Sequence, residues 1–413
     1  MAIFFYNLVV QAYALIIRLA AFRSEKARKW VTGRRGWEQE LAKKIAKLEP
    51  GKRIWVHCAS YGEFEQGRPL MEALRLKYPE VKIILSFYSP SGYEAFKSWN
   101  GAEVVVYLPH DSRYNANRFL DLVRPDLIIF VKYEFWLHYL QAIKKRTIQA
   151  YLISAVFKQH HPFFKWYGRL FRKSLSAFRT MFLQDKASAR LLDEVGIHNY
   201  EVTGDTRFDR VLEIRKQSTY IERVEKFKNN SPVLVAGSTW PADEKLILEA
   251  FRNMPDQIQL ILAPHQVSEQ EIRSTCMRIA DAGFTYARFS NYQGEQVRVL
   301  VVDTIGHLSR IYAYAKVAYV GGGLGDGLHN ILEPAVFGIP VSFAEPKPGR
   351  YNESVELLTL GAAKNALSQE ELVLAWSEQF FNPTYREQVS KRLENYFLEN
   401  GNVTEKILRR LLL

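Results

Sequence analysis

Cysteine is nearly absent. The 413 residues hold two, Cys58 and Cys276, far apart and in no metal-ligand spacing. That excludes a disulfide framework and fits buried thiols in a reducing compartment. Also missing are a G-x-G-x-x-G after the first strand-like run, a G-x-x-x-x-G-K-[ST], and any His/Asp/Glu spacing that makes a metal site. Dinucleotide, P-loop and zinc chemistries lose ground accordingly. No low-complexity arm and no internal repeat of about 20–50 residues occurs, so solenoids and long disordered tails are excluded too.

What is present is the composition of a folded protein, 47% hydrophobic and 24% charged, at a length that favours two domains over one core. The +12 charge is uneven: residues 1–50 carry ten Lys and Arg against four Asp and Glu, about half of the excess. Ahead of that cluster runs MAIFFYNLVVQAYALIIRLAA, uncharged until Arg18. It lacks the basic start and small-residue cleavage site of a signal peptide. It is marginal for a span, which needs about 20 apolar residues. Asn7 and Gln11, four apart, also allow a helix lying in the membrane interface, and an ordinary core helix is the third reading. Arg23, Lys26, Arg28, Lys29, Arg34 and Arg35 follow at once and favour an anionic, cytoplasmic leaflet. The expectation is a protein attached to the cytoplasmic face of a membrane.

From Arg53 onward, apolar runs alternate with helical patterns: RIWVH, VKIILSF, EVVVYL, DLIIFV, TIQAYLI and TMFL, then VLVAGS, IQLILA, VRVLVV, VAYVGG and IPVSF. Continuous apolar strands separated by helices mean βαβ units and parallel sheets covered on both faces. Between the two series lies the charged stretch LEIRKQSTYIERVEKFKNNSP. The expected organisation is a membrane-associating helix over 1–21 and an α/β domain over 22–210. A linker over 211–231 and a second α/β domain with terminal helices over 232–413 complete it. Ligands of such sheets bind beyond the carboxyl ends of the strands, so two domains facing across a cleft would hold substrates there.

Three groups of residues stand out. WVHCASYGEFEQGRP ends a strand and hands over to Glu63, a carboxylate that is either a helix cap or a reagent. VAYVGGGLGDGLHNILEPAVFGIPV ends a strand in Gly321, Gly322 and Gly323, and a helix is expected near His329 and Asn330. Glycines admit a ligand close to the backbone, and a helix start offers N–H groups to a phosphate. Glu333 can accept from ribose hydroxyls, or be no more than a favourable first-turn acid. Two further strand ends carry Pro264 with His265, and Ile305, Gly306 and His307; each is a nucleotide contact or simply a turn.

HCASYGEFEQGRPL, SFYSPSGYE, YLPHD, EFW, GDTRFD, AGSTWPADE, DTIGHLSRIYAYAKVAYVGGGL and HNILEPAVFGIPV, in that order, resemble the lipopolysaccharide Kdo (3-deoxy-D-manno-octulosonic acid) transferases. These are inverting glycosyltransferases of the GT-B fold. The resemblance runs over nearly the whole chain. It implies an α/β chain of two doubly wound, Rossmann-like domains facing across a cleft, with a membrane-proximal N-terminal helix. It also implies CMP-Kdo as donor, a lipid A precursor as acceptor, no metal or organic cofactor, and a place on the inner membrane of a Gram-negative bacterium. The family's general base falls on Glu63, and its nucleotide contacts fall on Pro264, His265, Ile305, Gly306, His307, Asn330, Ile331, Leu332 and Glu333. Arg207 stands where relatives usually have lysine and keeps the positive charge that assists the leaving group. There are departures. His265 replaces a frequent arginine, and His307 a frequent glutamate. The common Glu-x-Glu-Leu-Trp becomes KYEFW: Lys132 holds the first glutamate's catalytic position, Glu134 keeps the second, and an acidic role does not carry over to Lys132.

FKQHHPFFKWYGRLFRKS, residues 157–174, has five Lys and Arg and no acids. No nucleic-acid module surrounds it, so nucleic acid is not an expected partner; lipid headgroups or the acceptor's phosphates suit it better, and a partly buried helix with snorkelling bases is the plain alternative. The competing functions are another GT-B enzyme, such as a UDP-sugar transferase or epimerase, and a non-catalytic lipid-A-binding relative.

Overall fold

A computed structural model of the chain describes residues 2–217, 220–325, 327–347, 349 and 351–411. The chain divides into two compact units, residues 1–210 with 400–413, and residues 211–399. Residues 218, 219 and 326, which fall in the expected linker and in the glycine-rich stretch, lie outside the described residues.

The first unit is built on seven strands: β1 (Arg53–Cys58), β2 (Lys82–Phe87), β3 (Val104–Tyr107), β4 (Leu127–Val131), β5 (Gln149–Ala155), β6 (Thr180–Leu183) and β7 (Tyr200–Val202). Their order is β3-β2-β1-β4-β5-β6-β7, with every pairing parallel. The order reverses between β1 and β4, the topological switch point at which doubly wound sheets bind ligands. The runs read as continuous hydrophobic strands are buried on both faces, with Ile54, Trp55, Ile128, Ile129 and Phe130 all at 0% exposure.

The second unit repeats the plan with β8 (Val233–Thr239), β9 (Gln259–Pro264), β10 (Tyr286–Arg288), β11 (Val299–Val301), β12 (Val317–Val320), β13 (Val341–Phe343) and β14 (Ala363–Asn365). The order is β10-β11-β9-β8-β12-β13-β14, again all parallel, and the switch point lies between β8 and β12.

The stretch 211–231 is not an open linker. The helix Arg207–Lys216 runs into it, and Glu222–Lys228 is a second helix whose Val224 and Phe227 are buried. The last helix, Val403–Arg410, was expected with the second domain but belongs to the first unit. Val403, Ile407 and Leu408 are buried in the same apolar cluster as β1 and β2, and the Asp209 carboxylate accepts from the Thr404 N–H at 2.5 Å.

The N-terminal run forms α1 (Ala2–Ala20), followed by α2 (Glu25–Thr32) and α3 (Trp37–Ile45). One stripe of α1 is spent on the body of the unit. Tyr6 donates to the Asp111 carboxylate, Asn7 Oδ1 lies 2.6 Å from His138 Nε2, Tyr13 stacks on Tyr88, and Ala14 is buried. The opposite stripe presents Phe4, Phe5, Leu8, Val9, Leu15, Ile16 and Leu19, all more than half exposed. Asn7 therefore points into the protein rather than toward water, and Gln11 is exposed. The core-helix reading of this segment is excluded by that exposed apolar face.

Candidate active site

In the first unit, β1 ends at Cys58, and Ser60 is the cap of α4 (Tyr61–Lys77). Glu63 lies in the first turn, where the helix dipole favours a carboxylate. Its side chain is half-buried and accepts from the Ser60 hydroxyl. Ser60 thus spends its side chain on Glu63 instead of on a backbone N–H of the helix. Capping and reactive roles are compatible at this position.

Across the switch point, the turn after β4 presents Lys132, Glu134 and Trp136. Lys132 adopts the left-handed φ of +70° and donates its N–H to Ile153 O at 2.9 Å. Glu134 is buried; the Trp136 indole N–H donates to its carboxylate, and His57 Nε2 lies 2.9 Å from the same oxygen. His57 is itself buried on β1, with Nδ1 at 2.8 Å from Ser86 Oγ, which also accepts from the Trp55 indole N–H. This Trp55–Ser86–His57–Glu134–Trp136 network holds Glu134 in one place. The Cys58 thiol lies within the field of both carboxylates: burial first, then Glu63 and Glu134, push its pKa well up and keep it protonated.

Arg207 is at the start of the helix Arg207–Lys216. Its Nε and one terminal nitrogen donate to Asp205 Oδ2 at 2.8 and 2.6 Å, and its backbone N–H to Oδ1 at 2.9 Å. Burial would raise the Asp205 pKa, but Arg207, with a smaller share from Lys132, holds it below the usual carboxylate range. Gln66, one turn beyond Glu63 on α4, donates to the same carboxylate at 3.2 Å. Asp205 thus joins Arg207 to Gln66, on the helix that carries Glu63, and lies within the field of Lys132. Sequence reasoning missed Gln66, Asp205, His57 and Ser86. Signals were available for three of them: His57 and Ser86 are polar residues in the apolar interiors of the strands RIWVHC and KIILSF, and Asp205 is the first acid of GDTRFD.

In the second unit the glycine-rich loop sits at the switch point. The Asp243 carboxylate, fully buried, accepts from Tyr319 Oη, Trp240 N and Gly322 N at 2.9–3.0 Å and ties the loop to the start of the helix Pro241–Phe251. Burial pushes its pKa up against those hydrogen bonds. A Cβ on Gly321 would come within 2.5 Å of Ser238 O, so only glycine fits there. Gly322 has φ +93°, the region that favours glycine.

Pro264 ends β9, and His265 follows it, exposed. The His265 ring stacks on Trp240 at 4.9 Å and on His329 at 4.3 Å between centroids. This triple ring stack was not anticipated. Ile305 is 80% exposed, Gly306 has φ +88°, and His307 Nδ1 lies 3.1 Å from Thr304 Oγ1. The helix expected near His329 begins at Leu332 and ends at Ala335. Its first N–H is already met by Asn330 Oδ1 at 3.2 Å, so the expected phosphate-facing helix start is short and partly used. Asn330 Nδ2 donates to Glu333 at 3.2 Å and orients that carboxylate. Ile331 and Leu332 have buried side chains, which leaves them only backbone contacts to offer. Among the described residues no group of three or more His, Cys, Asp or Glu converges as metal ligands.

Comparison with known proteins gives a consistent picture. Residues 32–210 match the family model described as 3-deoxy-D-manno-octulosonic-acid transferase (kdotransferase). The chain is 28% identical to the 3-deoxy-D-manno-octulosonic acid transferase of Aquifex aeolicus, over 79% of this chain and 85% of that one. It is 24% identical to the Haemophilus influenzae transferase of the same name, over 90% of each. It spans about half, 54%, of a bifunctional glycosyltransferase/methyltransferase of Fusobacterium nucleatum, at 24% identity over 85% of this chain. Among solved structures, UDP-GlcNAc 2-epimerase of Neisseria meningitidis aligns with a TM-score of 0.63 at 16% identity, over 86% of this chain and 98% of that one; this likeness shows the fold. The resemblance read from the motifs is borne out: the chain is related to the Kdo transferases and has the GT-B fold.

Proposed function

We propose that this relative of the Kdo transferases moves Kdo from CMP-Kdo to a lipid A precursor at the cytoplasmic face of the inner membrane of a Gram-negative bacterium. The observation that carries the reading is the half-buried Glu63 carboxylate beside the first unit's switch point, held by Ser60. As an acceptor hydroxyl attacks the anomeric carbon of Kdo, Glu63 takes its proton. The new C–O bond forms as the bond to the CMP phosphate breaks, with inversion. The departing CMP carries the electron pair as a phosphate monoester, and the Arg207 guanidinium, fixed by Asp205, offsets that charge. Lys132 adds a second positive charge beside Asp205. On the donor side, Asn330 presents Glu333 to the ribose hydroxyls, while Pro264, His265 and the Ile305–His307 turn complete the nucleotide contacts. The deciding measurement is CMP release from CMP-Kdo in the presence of a tetra-acylated lipid A precursor. No release above the acceptor-free control rules the reading out.

A uridine-nucleotide enzyme is the second reading, because the chain shares its fold with UDP-GlcNAc 2-epimerases. Cytidine nucleotides should raise the melting temperature and uridine nucleotides should not; the reverse result favours the second reading. Glu333→Ala is expected to weaken CMP binding about 10- to 150-fold, the equivalent of ~1.5–3 kcal/mol for hydrogen bonds to a charged group. Unchanged affinity by calorimetry in a folded variant removes Glu333 from the nucleotide site.

Membrane attachment has two supports. One is the exposed apolar stripe of α1. The other is the 157–174 stretch, where Trp166 is 93% exposed and Phe171 meets Tyr6 of α1 at 6.4 Å between ring centroids. Removing residues 1–21 should leave binding to anionic vesicles at low salt and lose it at high salt, because each remaining base near the surface contributes only about 1 kcal/mol and is screened. The full-length chain should stay bound in both. If it washes off equally well in salt, α1 does not hold the protein on the membrane.

A further inference from the structure

Where α1 ends, α2 and α3 and the loop after β3 enclose a cavity of about 770 Å³. Four arginines line it, Arg18, Arg28, Arg34 and Arg35, together with Trp30 and His110. Arg34 is the built element. Its Nε donates to Leu108 O at 2.9 Å, and its terminal nitrogens donate to Trp30 O at 3.0 Å and Tyr88 O at 2.7 Å. Its guanidinium lies over the Trp30, Tyr88 and Tyr107 rings at 4.1, 4.8 and 4.9 Å. Gly33 precedes it because a Cβ there would meet the Tyr107 ring at 2.2 Å. Carbonyls and rings orient the cation but do not neutralise it. Among the described residues, none of the four arginines is within ion-pair distance of a carboxylate. Burial pulls the Arg34 pKa down to about 10, and the His110 imidazole is pushed below its ordinary value by burial and then by Arg18 and Arg34. The Arg34 shift reports burial alone, while that of His110 also reports the nearby positive charges of Arg18 and Arg34.

Arg34 is the desolvated charge, which is costly unless an anion completes it, and Arg18, Arg28 and Arg35 are exposed charges lining the same cavity. The chemistry of the anion follows from the donors. Guanidinium groups match phosphate oxygens with paired hydrogen bonds, and several can share one phosphate. The rest of the lining decides the remainder of the ligand. Leu19 and Phe22, at the end of α1, also line the cavity, and Phe22 is 83% exposed. The exposed apolar stripe of α1 continues from them. An ion with no apolar part would leave that rim uncovered.

We propose that this cavity binds the anionic phosphate headgroup of a membrane lipid, with the four arginines on the phosphate and the rim of Leu19 and Phe22 against the first part of the acyl chains. The proposal rests on the membrane attachment put forward above and names the lipid chemistry that α1 meets. Arg34 reaches Tyr88 through its carbonyl, and Tyr88 packs on Trp136 at 4.6 Å between centroids, so the cavity lies one ring away from the network that holds Glu134.

The test uses the full-length protein in neutral detergent, with phosphatidic acid and phosphatidylcholine of identical chains added in equal amounts and retained lipid read by native mass spectrometry. One phosphatidic acid per chain is expected, in preference to phosphatidylcholine by at least about tenfold, ~1.4 kcal/mol. Arg34→Leu removes three structural hydrogen bonds and risks the fold, so the informative variant is the rim pair Arg28→Glu with Arg35→Glu. Both side chains are exposed, and the one hydrogen bond shown for either is a 3.5 Å contact from Arg28 to Ala21 O. The pair should lose the bound phosphatidic acid while CMP still stabilises the protein as in the parent. Equal retention of the two lipids, or full retention by the rim pair, overturns the proposal. Complete displacement by inorganic phosphate shows a free-phosphate site and overturns the assignment to a lipid. If CMP fails to stabilise even the parent protein, the CMP-Kdo reading falls while the lipid result stands by itself.

Discussion

Glu63→Gln is expected to abolish transfer while leaving the fold and CMP binding nearly unchanged. The amide has the same shape, and its oxygen still accepts from Ser60, so the turn between β1 and α4 survives. What is lost is the ability to take a proton, which typically costs about 10²- to 10⁴-fold in rate. The competing account, in which Glu63 is only a favourable acid in the first helical turn, predicts something different. Replacing such an acid costs ~0.3–1 kcal/mol of stability and nothing in turnover. Steady-state turnover and thermal melting of one variant therefore separate the two accounts. A variant that keeps more than about a tenth of parental activity, short of the low end for general-base loss, and melts lower makes Glu63 a cap. Ser60→Ala is a useful companion. It removes a hydrogen bond to the carboxylate without removing the base, so its effect on rate should be much smaller.

The parts of the fold that were legible are those in which burial acts on long apolar runs. Every central strand was readable, because a strand buried on both faces of a parallel sheet has to be continuously apolar. The three strands missed, β7, β10 and β14, are three residues long, sit at sheet edges and read YEV, YAR and AKN. Edge strands face solvent on one side and carry no such pattern. The site divides the same way. Glu63, Arg207 and the glycine loop lie at strand ends and in motifs of fixed spacing. The network of His57, Ser86 and Glu134 depends on a register in which His57 of β1 lies opposite Ser86 of β2, and register between strands does not show in local sequence. The Trp240–His265–His329 stack joins the ends of β8 and β9 to the glycine loop, and only the sheet order brings those three rings together. The last helix was placed with its neighbours in sequence, whereas Val403 and Ile407 found the uncovered side of β1 and β2 in the other unit.

Arg207→Gln is expected to lower turnover by about 10²- to 10³-fold with little change in KM, the signature of losing an interaction made mainly in the transition state. The same substitution carries a stability effect whose pH dependence identifies its cause. In the parent, Asp205 is held below its ordinary pKa by Arg207 against the opposing effect of burial. That contribution is fully present above the unfolded carboxylate pKa of about 3.9 and is lost as pH falls through the depressed folded value. Without the guanidinium, burial dominates and the folded pKa moves above the unfolded one. The ionised Asp205 then destabilises the fold at neutral pH, where breaking a buried pair costs about 3–5 kcal/mol, and protonation relieves it as pH falls. The gap in melting temperature between parent and variant should therefore be widest near neutrality, narrow toward pH ~4 as protonation relieves the variant, and close only below that, as Asp205 of the parent is protonated in turn. Arg207→Lys keeps the charge but not the two-nitrogen grip on Asp205, so it should restore most of the stability and only part of the rate. If Arg207→Gln loses stability in this pH-dependent way yet turns over within about tenfold of the parent, well short of the loss expected for a transition-state donor, Arg207 serves only as the counterion of Asp205. Lys132 would then be the side chain left to meet the departing phosphate.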